Sequence, residues 1–588
     1  MYISTSKSKN TTIYYVCKSF RKDGATTSKR IETLGTIDNI RRRCGDSDPV
    51  EWARNYAKEL TAKDKEDSRT VTLSLKPSLP MAKNEQKLFN GGYLALKKVY
   101  HSVGLDKICD EISSRYKFSY DLDSILANLI YTRVLYPGSK ASSFADAHRF
   151  VEKPMFALED IYRSLSVLAK ESDFIQSQVF NNSLKTIGRD TDVIYYDCSN
   201  FFFEIEQADE LRRTSDGKLE LGLRQYGHSK EHRPNPIVQM GIFMDRKGLP
   251  LAFCIDPGNT AETRTLIPLE EKLGRNFGLS VCVVCTDGGL SSLTNRRYNN
   301  RGGRHYITVQ SLKDNKIASH LQTWALDPEG WSVSGVDHTV TLFSEEAIKL
   351  GERVFYKERW INEKNLEQRL IVTYSPKYAA YQRTLRQQQV DRALRAIANG
   401  TANRKKKSPN DAMRFVATIH STGDGEVAEK TDCYLDIEAV ENEARFDGFY
   451  AICSNLEDES AVEIIRANSQ RWEIEDLFRT MKTEFQSRPV YLQRNDRINA
   501  HFITCFLALL IFKALQLKLG NPDITTSQLR QTLIKMDYLK IRGEGYMPVF
   551  KGDVFTEDIA AFIDPNLQNQ IVTSRKMKSI IKSCVKSS

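Results

Sequence analysis

The chain has 588 residues, 40% of them hydrophobic and 27% charged, a balance typical of a folded globular protein with several domains. Its formal net charge of +10 favours an anionic partner, although charge alone does not require one. The eleven cysteines are scattered, which argues against a disulfide framework, and the polar N-terminus lacks the apolar core of a signal peptide. The most apolar run, residues 502–512, is too short for a bilayer span, so we expect a buried core helix and a cytoplasmic protein.

The N-terminal part of the chain changes from strand patterns to helix patterns. Residues 12–36 predict two strands around a turn at Asp23-Gly24, and a charged helix follows them. A short strand, TVTLSL, is expected at residues 70–75. Across residues 91–187, apolar residues recur at spacings of three and four, which predicts an all-helical module.

The middle of the chain alternates strand and helix patterns in a definite order. Three strand patterns, VIYYDCSNFFFE, PIVQMGIFMD and LPLAFCID, follow one another from Val193, with a turn at residues 246–248. A helix, the strand VCVVCTD, a short helical piece and the strand HYITV come next. This is the order of a ribonuclease-H-like core with a mixed sheet. The closing helices of such a core are predicted only over residues 460–519, so we expect a β-rich insertion before them.

Together these patterns predict a multidomain α/β chain. The predicted segments are a β-hairpin and helix region at 1–82, a helical module at 83–188, the first part of the core at 189–312, the β-rich insertion at 313–456, the C-terminal core helices at 457–520 and a basic C-terminal tail at 521–588.

Two aspartates fall where the predicted core would bring them together. Asp197 lies inside the first strand among apolar and aromatic residues, where a charge is costly unless it is paired or metal-bound. Asp287 ends the fourth strand just before two glycines, where a side chain can leave the sheet edge. In a sheet of this order the first and fourth strands are neighbours, which favours a shared metal site. The alternative is that Asp197 is a hydrogen-bonded core residue and Asp287 a turn residue.

A third carboxylate comes from the segment NSQRWEIEDLFRTMKTEF. At about 100° per residue on one continuous helix, four side chains fall within about 60° of one another: Asn468, Arg471, Glu475 and Lys482. Glu475 can then face the aspartates, with Arg471 and Lys482 available to phosphate oxygens. Carboxylates are the hard ligands that hold two Mg²⁺ ions about 3.5–4 Å apart in phosphodiester chemistry. The alternative is a solvated face with ion pairs between helical turns.

Basic residues cluster in two further places. The loop RQYGHSKEHRP precedes the second core strand, and its cations would contact phosphates beside the metal site. The residues expected to do so are Arg224, His228, Lys230 and Arg233. The predicted insertion carries a second basic stretch between residues 383 and 407, ending in the run Arg404-Lys405-Lys406-Lys407. This stretch is either a DNA track or a solvated basic loop.

These blocks resemble the bacterial insertion-sequence transposases of the DDE class, in the superfamily with a Y-x-x-R-x-x-x-E-x-x-x-x-x-x-K signature. Arg471, Glu475 and Lys482 match its R, E and K, whereas Asn468 stands at the tyrosine position. Further matches are YYDCSNFFFE, GHSKEHRPNPIVQMGIFMDRKGLPLAF, PGNTAETRTL and CTDGGL. The resemblance runs from about residue 91 to residue 519, and more loosely over the N-terminal hairpin.

The resemblance implies a ribonuclease-H-like catalytic core, interrupted by a β-strand insertion, in which Asp197, Asp287 and Glu475 bind two Mg²⁺ or Mn²⁺ ions. It implies DNA cleavage at the ends of a mobile element, followed by attack of the freed 3′-hydroxyl on target DNA. The expected partner is double-stranded DNA, as terminal inverted repeats and as target, rather than a membrane or a small molecule. Members of this superfamily typically excise through a DNA hairpin and act as dimers. The N-terminal hairpin and the helical module are expected to serve end recognition or dimerisation.

Other interpretations stay open at this point. A related nuclease that cleaves without joining strands would need the same residues, and a non-catalytic DNA-binding protein derived from a transposase is the second alternative. Cys282 and Cys285 form a C-x-x-C pair inside a strand pattern, where period-two alternation would point them to opposite faces and prevent a shared zinc ion.

Overall fold

The chain folds as two units, Met1–Glu85 and Gln86–Ser588. The computed structural model describes residues 1–8, 11–22, 25–45, 47–67, 70–72, 78, 80, 83, 85–213, 217, 219–313, 316–402, 410–421 and 430–586. The first unit contains a small antiparallel sheet covered on one side by helices, and the second contains a large mixed sheet enclosed by helices.

The first unit begins with strands that pair in chain order. Its elements are β1 Tyr2–Lys7, β2 Thr12–Lys22, β3 Ala25–Gly35, α1 Ile37–Cys44 and α2 Pro49–Asp67. The two predicted strands correspond to β2 and β3, whereas β1 carries too few apolar residues (YISTSK) to be predicted. The predicted turn at Asp23-Gly24 lies outside the described residues. Residues 70–72 of the strand predicted at 70–75 are not in a strand, and the remainder lies outside the described residues.

Residues 91–187 are helical, as their periodicity predicts. A short strand comes first, and the elements are β4 Leu88–Asn90, α3 Tyr93–Ser102, α4 Leu105–Arg115, α5 Leu122–Leu135, α6 Lys140–Ala147, α7 Leu158–Lys170 and α8 Ser172–Thr186. The pattern arises because each helix turns an apolar face inward, for example Ile125, Leu126 and Leu129 on α5, all of which are buried.

The next segment contains the predicted meander and the strands that follow it. Its elements are β5 Val193–Phe202, β6 Leu211–Arg213, β7 Leu219–Leu221, β8 Ile237–Met244, β9 Pro250–Pro257, α9 Leu266–Phe277, β10 Val283–Thr286, α10 Leu293–Tyr298 and β11 His305–Gln310. β5, β8 and β9 pair antiparallel, and β10 lies parallel between β5 and β11. The predicted adjacency of the first and fourth core strands is therefore confirmed.

The predicted insertion adds strands to the same sheet. Its elements are α11 Ser319–Leu326, β12 Ser332–Val333, α12 Glu345–Lys349, β13 Phe355–Glu363, β14 Leu366–Tyr374, α13 Pro376–Ala398, β15 Val416–Ser421, β16 Lys430–Leu435, α14 Ile437–Ala444 and β17 Phe449–Ser454. Within the described residues, the central sheet has the order β12-β13-β14-β17-β11-β10-β5-β8-β9. Because β17 pairs directly with β11, most of these strands extend the core sheet, and only β15 and β16 form a separate ribbon.

Within the described residues, the arginines of this basic stretch lie on α13. Arg383, Arg392 and Arg395 on α13 are exposed, whereas Arg386 forms an ion pair with Asp447 and is largely shielded from solvent. The run Arg404–Lys407 lies outside the described residues.

The closing helices differ from the continuous helix that the sequence predicts. They are α15 Ala461–Ser469, α16 Trp472–Arg479 and α17 Asn495–Leu519, with a π-helical turn at Thr480–Glu484. α15 begins with a capping box between Ser460 and Glu463 and ends at Gln470, so Arg471 is the residue before α16 rather than part of one long helix. The break and the π turn both rotate the side chains that follow them about the helix axis. The four residues therefore do not share the single face that a regular helix predicts.

α17 is the one helix within the described residues that is long and apolar enough to cross a membrane, but 72% of its most apolar window is buried inside the protein. Residues 502–512, the predicted core helix, are all buried in it. α17 packs against α3, α5 and α7, which explains a nearly uniform apolar composition without a polar face.

The predicted basic tail is a folded region. It consists of α18 Thr526–Lys535, β18 Asp537–Ile541, β19 Gly545–Pro548, α19 Val554–Ile563, β20 Val572–Thr573 and α20 Ser574–Lys586. β18 pairs with β4 from the start of the unit, and the Asn90 side chain donates to the carbonyl oxygens of Leu533 and Ile534. The prediction of a tail is wrong. Strand β18 pairs with β4, which lies more than 400 residues earlier in the chain, and a local pattern does not reveal such a partner.

Candidate active site

The two aspartates are neighbours at the edge where β10 ends. β10 and β5 pair in parallel, and the last pair joins Thr286 to Tyr196. One step further the same register brings Asp287 beside Asp197. Asp287 then starts a short 3₁₀ turn at Gly288–Leu290, which takes the chain away from the sheet edge.

The face of β5 that carries Asp197 is covered by the closing helices. Side chains two residues apart point to the same face of a strand, and those on either side of Asp197 both bond to this helical layer. The Tyr195 hydroxyl donates to the carbonyl oxygen of Ala467 at 3.0 Å, and the Lys482 ammonium donates to the Ser199 hydroxyl at 2.6 Å. These contacts hold the helix α16, which carries Glu475, over the position of Asp197.

The Asp197 carboxylate lies in a sheltered pocket beside Lys230. The Lys230 ammonium donates to the Cys198 carbonyl oxygen at 2.6 Å and forms an ion pair with Glu262 at 3.0 Å. Burial raises the pKa of Asp197 to about 6; the Lys230 charge opposes this rise, and the charges of Asp287 and Glu262 add to it. An added cation here would therefore relieve an electrostatic cost.

Asp287 and Glu475 lie on the open side of the site and share one cation. The Arg471 guanidinium is 3.7 Å from Asp287 and 3.3 Å from Glu475. The side chains of Asp287 and Glu475 are 50% and 61% exposed, whereas that of Arg471 is 18% exposed. The carboxylates of Asp287 and Glu475 are thus exposed, whereas that of Asp197 is largely shielded from solvent.

The Arg471 guanidinium lies beside the Tyr450 hydroxyl of strand β17. The Asn468 amide donates to the Tyr450 hydroxyl at 3.4 Å. Burial raises the pKa of Tyr450, and Asn468 and the adjacent Arg471 guanidinium offset part of that rise. Asn468, at the signature's tyrosine position, therefore contacts a tyrosine hydroxyl supplied from elsewhere in the chain.

Lys482 does not share a regular helical face with Arg471 and Glu475. It lies in the π turn, only 12% exposed, with its ammonium bonded to Ser199 and 3.8 Å from Glu231. Burial lowers the pKa of Lys482 to about 8, with a smaller contribution from the positive charge of Lys230. The extra residue of the π turn is the physical reason for the difference from the predicted phase.

The four predicted phosphate contacts of the loop have different surroundings. Arg224 forms an ion pair with Asp209 in which both side chains are largely buried, so its guanidinium already has a carboxylate partner. Lys230 lies beside Asp197. His228 is exposed, and its carbonyl oxygen accepts from the Asn200 amide. Arg233 stacks over the Phe202 ring, with its guanidinium carbon 4.1 Å from the centroid, and is 48% exposed.

The carboxylates of the site supply oxygen ligands of the kind that a divalent ion requires. Within the part of the chain that the structure describes, no three acidic, histidine or cysteine side chains form a ready cluster for one metal ion. Asp197 and Asp287 do supply adjacent hard oxygen ligands, and Mg²⁺ needs only one or two carboxylates because it keeps several waters. These two residues suit such an ion in chemistry and position, while Glu475 is joined to Asp287 through Arg471.

The C-x-x-C pair is split between the two faces of the sheet, as its alternation predicts. Cys285 belongs to the core cluster beneath the closing helices, whereas Cys282 belongs to the cluster under α9. Both thiols are buried and free.

Comparison with known families identifies a transposase domain in this chain. The family model described as transposase DDE domain matches residues 211–511, slightly more than half of the chain, and the match includes Asp287 and Glu475 but begins after Asp197. A search of curated proteins found no match. The chain belongs to the transposase DDE domain family. Membership supports transposase function, DNA as the substrate and a general need for divalent metal ions.

Two residues of the site are missed by the sequence reasoning. Glu262 lies in the block PGNTAETRTL, which the resemblance includes without assigning a role to its acid. Tyr450 belongs to a strand pattern, GFYAICS, that gives no functional signal. Only the pairing of β17 into the central sheet brings its hydroxyl to Arg471.

Proposed function

We propose that this protein cleaves DNA strands at the ends of a mobile element and joins the freed 3′-hydroxyls to target DNA. Asp197, Asp287 and Glu475 are the proposed ligands of two Mg²⁺ or Mn²⁺ ions. The observation that carries the proposal is the parallel β5–β10 register, which brings the two aspartates together under the helix that carries Glu475. Bound divalent ions would supply an activated water and stabilise the leaving oxygen.

The residues around the carboxylates have distinct roles in this proposal. Lys230 places a positive charge beside Asp197. Its ammonium also forms an ion pair with Glu262, the first residue of a 3₁₀ turn. Arg471 offsets part of the negative charge of Asp287 and Glu475, and in this proposal it contacts a phosphate oxygen of the scissile strand. Tyr450 and Asn468 are positioning residues, because Tyr450 lies beside Arg471 and Asn468 bonds to the Tyr450 hydroxyl, and neither contacts the reacting atoms in this proposal.

DNA contacts around the site come from the loop before β8 in this proposal. Arg233 and His228 are exposed on that loop, and the largely shielded Lys482 contributes positive charge from within the site. Arg224 acts through its ion pair with Asp209, which braces the loop. A homodimer that bridges both element ends, and excision through a DNA hairpin, belong to the same proposal by resemblance to the superfamily.

The decisive experiment compares Glu475→Gln with the native protein on a labelled duplex from the element end in Mg²⁺. We expect cleavage to slow at least about a hundredfold, because a lost metal ligand removes several kcal/mol of transition-state stabilisation, while DNA binding is retained. Glu473→Gln is the matched control: it lies on the same helix but beside Gly248, and it should cleave normally.

Other outcomes would contradict parts of the proposal. Undiminished cleavage by Glu475→Gln would mean that this helix does not supply the third ligand. Cleavage by the native protein without any strand-transfer product would favour a nuclease. Tight DNA binding without cleavage in either Mg²⁺ or Mn²⁺ would favour a non-catalytic DNA-binding protein.

A further inference from the structure

The sheet of the first unit has one covered face and one open face. Val16, Leu34 and Ile40 form the core of the covered face with Ala53 and Ala57 of α2. Polar residues on that face also bond to the helices: Lys18 donates to Asp64 on α2, and Tyr56 on α2 donates to Glu32.

The opposite face is defined by the strand registers, because directly paired residues of antiparallel strands point to the same side. We call it the open face, and its residues are Tyr2, Ser4 and Ser6 on β1, Ile13, Tyr15, Cys17, Ser19 and Arg21 on β2, and Thr26, Ser28, Arg30 and Thr33 on β3. The Arg30 guanidinium lies 3.7 Å above the Tyr15 ring, which confirms that β2 and β3 present these residues on one side.

The composition of the open face is unusual for a solvent-exposed surface. Hydroxyl groups, two tyrosines and two arginines make up most of it, and none of its described residues is acidic. No ion pair joins Arg21 or Arg30 to a carboxylate within the described residues, and both side chains are exposed. Every polar group here can therefore donate a hydrogen bond to an anionic or acceptor-rich partner.

Charge is divided between the strands and the helices of this unit. Residues 1–36 contain seven lysines and arginines and only two acids, whereas residues 37–67 contain seven lysines and arginines and eight acids. The acids of the unit are thus concentrated on the side away from the open face, which gives the sheet side a positive field.

We propose that the open face docks into the major groove of duplex DNA and reads the element end. The proposal rests on the proposed function for the identity of the DNA. Strands lie about 4.8 Å apart, so the backbones of this small sheet span about 10 Å, against a major groove about 12 Å wide. Arg21 and Arg30 would contact phosphates or guanine edges, and the serines and threonines would supply short contacts to the backbone and the bases.

Binding of the full-length protein to a labelled duplex from the element end tests the proposal in EDTA, where no chemistry can occur. The double variant Arg21→Ala/Arg30→Ala should bind at least about tenfold more weakly. The matched control, Arg54→Ala/Lys58→Ala, removes the same charge from exposed positions on α2 and should bind within about twofold of the native protein.

A second pair of variants separates docking from folding. Ser6 and Ser28 are exposed open-face residues on strands that do not pair with each other, so Ser6→Glu/Ser28→Glu adds repulsion to phosphates without removing a packed side chain or placing two like charges opposite each other. It should weaken binding as much as the arginine variant while the thermal unfolding midpoint stays close to that of the native protein. Guanine N7 in the major groove should be protected from dimethyl sulfate by the native protein and exposed again with both variants.

The outcomes distinguish this inference from the proposed function. Native affinity in both open-face variants would overturn the inference while leaving Mg²⁺-dependent cleavage, and the proposed function, intact. Protection confined to adenine N3 in the minor groove, or a preference for single-stranded DNA, would also overturn it. If the native protein neither binds nor cleaves the element end, the proposed function itself fails.

Discussion

The middle of the central sheet and the open face of the first unit differ in the solvent exposure of their charged side chains. Every residue of β8 in the central sheet is buried, and the Arg189–Asp245 ion pair beside its end is completely shielded from solvent. The open face of the first unit instead presents Arg21 and Arg30 to solvent with no carboxylate beside them in the described residues.

This difference indicates which charged side chains of each sheet are available to a ligand. A charge enclosed by protein must be neutralised by its neighbours, so removing its partner destabilises the fold, and the charge is not available to a ligand. A cation on an open face keeps its hydrogen-bonding capacity for a partner. The outer strands of the central sheet also carry exposed charges, such as Glu358 and Arg359 on β13. Next to β5, charges reach solvent where β10 ends, at Asp287 and the adjacent Glu475, and this edge is the proposed place for chemistry.

The largest effect that tests this comparison is expected at the enclosed pair. Asp245→Ala leaves the Arg189 guanidinium buried without its partner and removes the acceptor of the Lys247 and Leu249 amides. We expect the free energy of unfolding to fall by about 3–5 kcal/mol, measured by denaturant unfolding.

An exposed ion pair provides the control for that measurement. Arg163→Ala breaks the pair with Asp160, in which the arginine side chain is 70% exposed, and should change stability by less than about 0.5 kcal/mol. A cost at Asp245 as small as this would contradict the view that enclosed charges of the central sheet are structural.

A smaller effect, dependent on pH, is expected at Glu270 on α9. Burial raises the pKa of Glu270 to about 7, so between about pH 4.5 and 7 the folded protein binds more protons than the unfolded chain. Its contribution to stability is complete below the unfolded pKa and is lost as the pH rises through the folded pKa, by about 3 kcal/mol at most.

Glu270→Gln should remove this pH dependence. The amide can still accept from Asn299, which donates to Glu270 at 2.9 Å. Thermal unfolding at pH 5 and pH 8 should therefore show a smaller loss of stability with pH in the variant than in the native protein. The exposed neighbour Glu271 is the control, and an equal pH dependence in Glu270→Gln and Glu271→Gln would contradict the prediction.

The smallest effect is expected at Tyr450, which lies beside Arg471 at the candidate site. Tyr450→Phe removes the hydroxyl that contacts Asn468 and lies beside Arg471. Loss of one such hydrogen bond corresponds to about 1 kcal/mol, so kcat for cleavage should fall about fivefold while KM for DNA stays within about twofold.

The control for this change is Tyr434→Phe, an exposed tyrosine on the separate β15–β16 ribbon. A purely structural role for Tyr450 would instead lower the thermal unfolding midpoint and change KM and kcat together, which would remove Tyr450 from the proposed site.

Much of the candidate site could be predicted from local patterns. Alternation around Asp197 and the C-T-D-G-G run predict two strands and the end of the second, and the order of strands and helices predicts that these two are neighbours. Helix phase was predicted less well, because the regular 3.6-residue repeat does not anticipate the break at Gln470 or the π turn that contains Lys482.

By itself the sequence determined the local elements and their order, because side-chain periodicity and turn residues act over a few neighbouring positions. It thereby predicted that the strands carrying Asp197 and Asp287 are neighbours, as the pairing of β5 with β10 shows. The tertiary structure alone decided the pairings of distant segments: β4 with β18, β17 with β11, and the Tyr450 hydroxyl with Asn468. These contacts depend on which surfaces meet in the folded chain, and no short-range pattern carries that information.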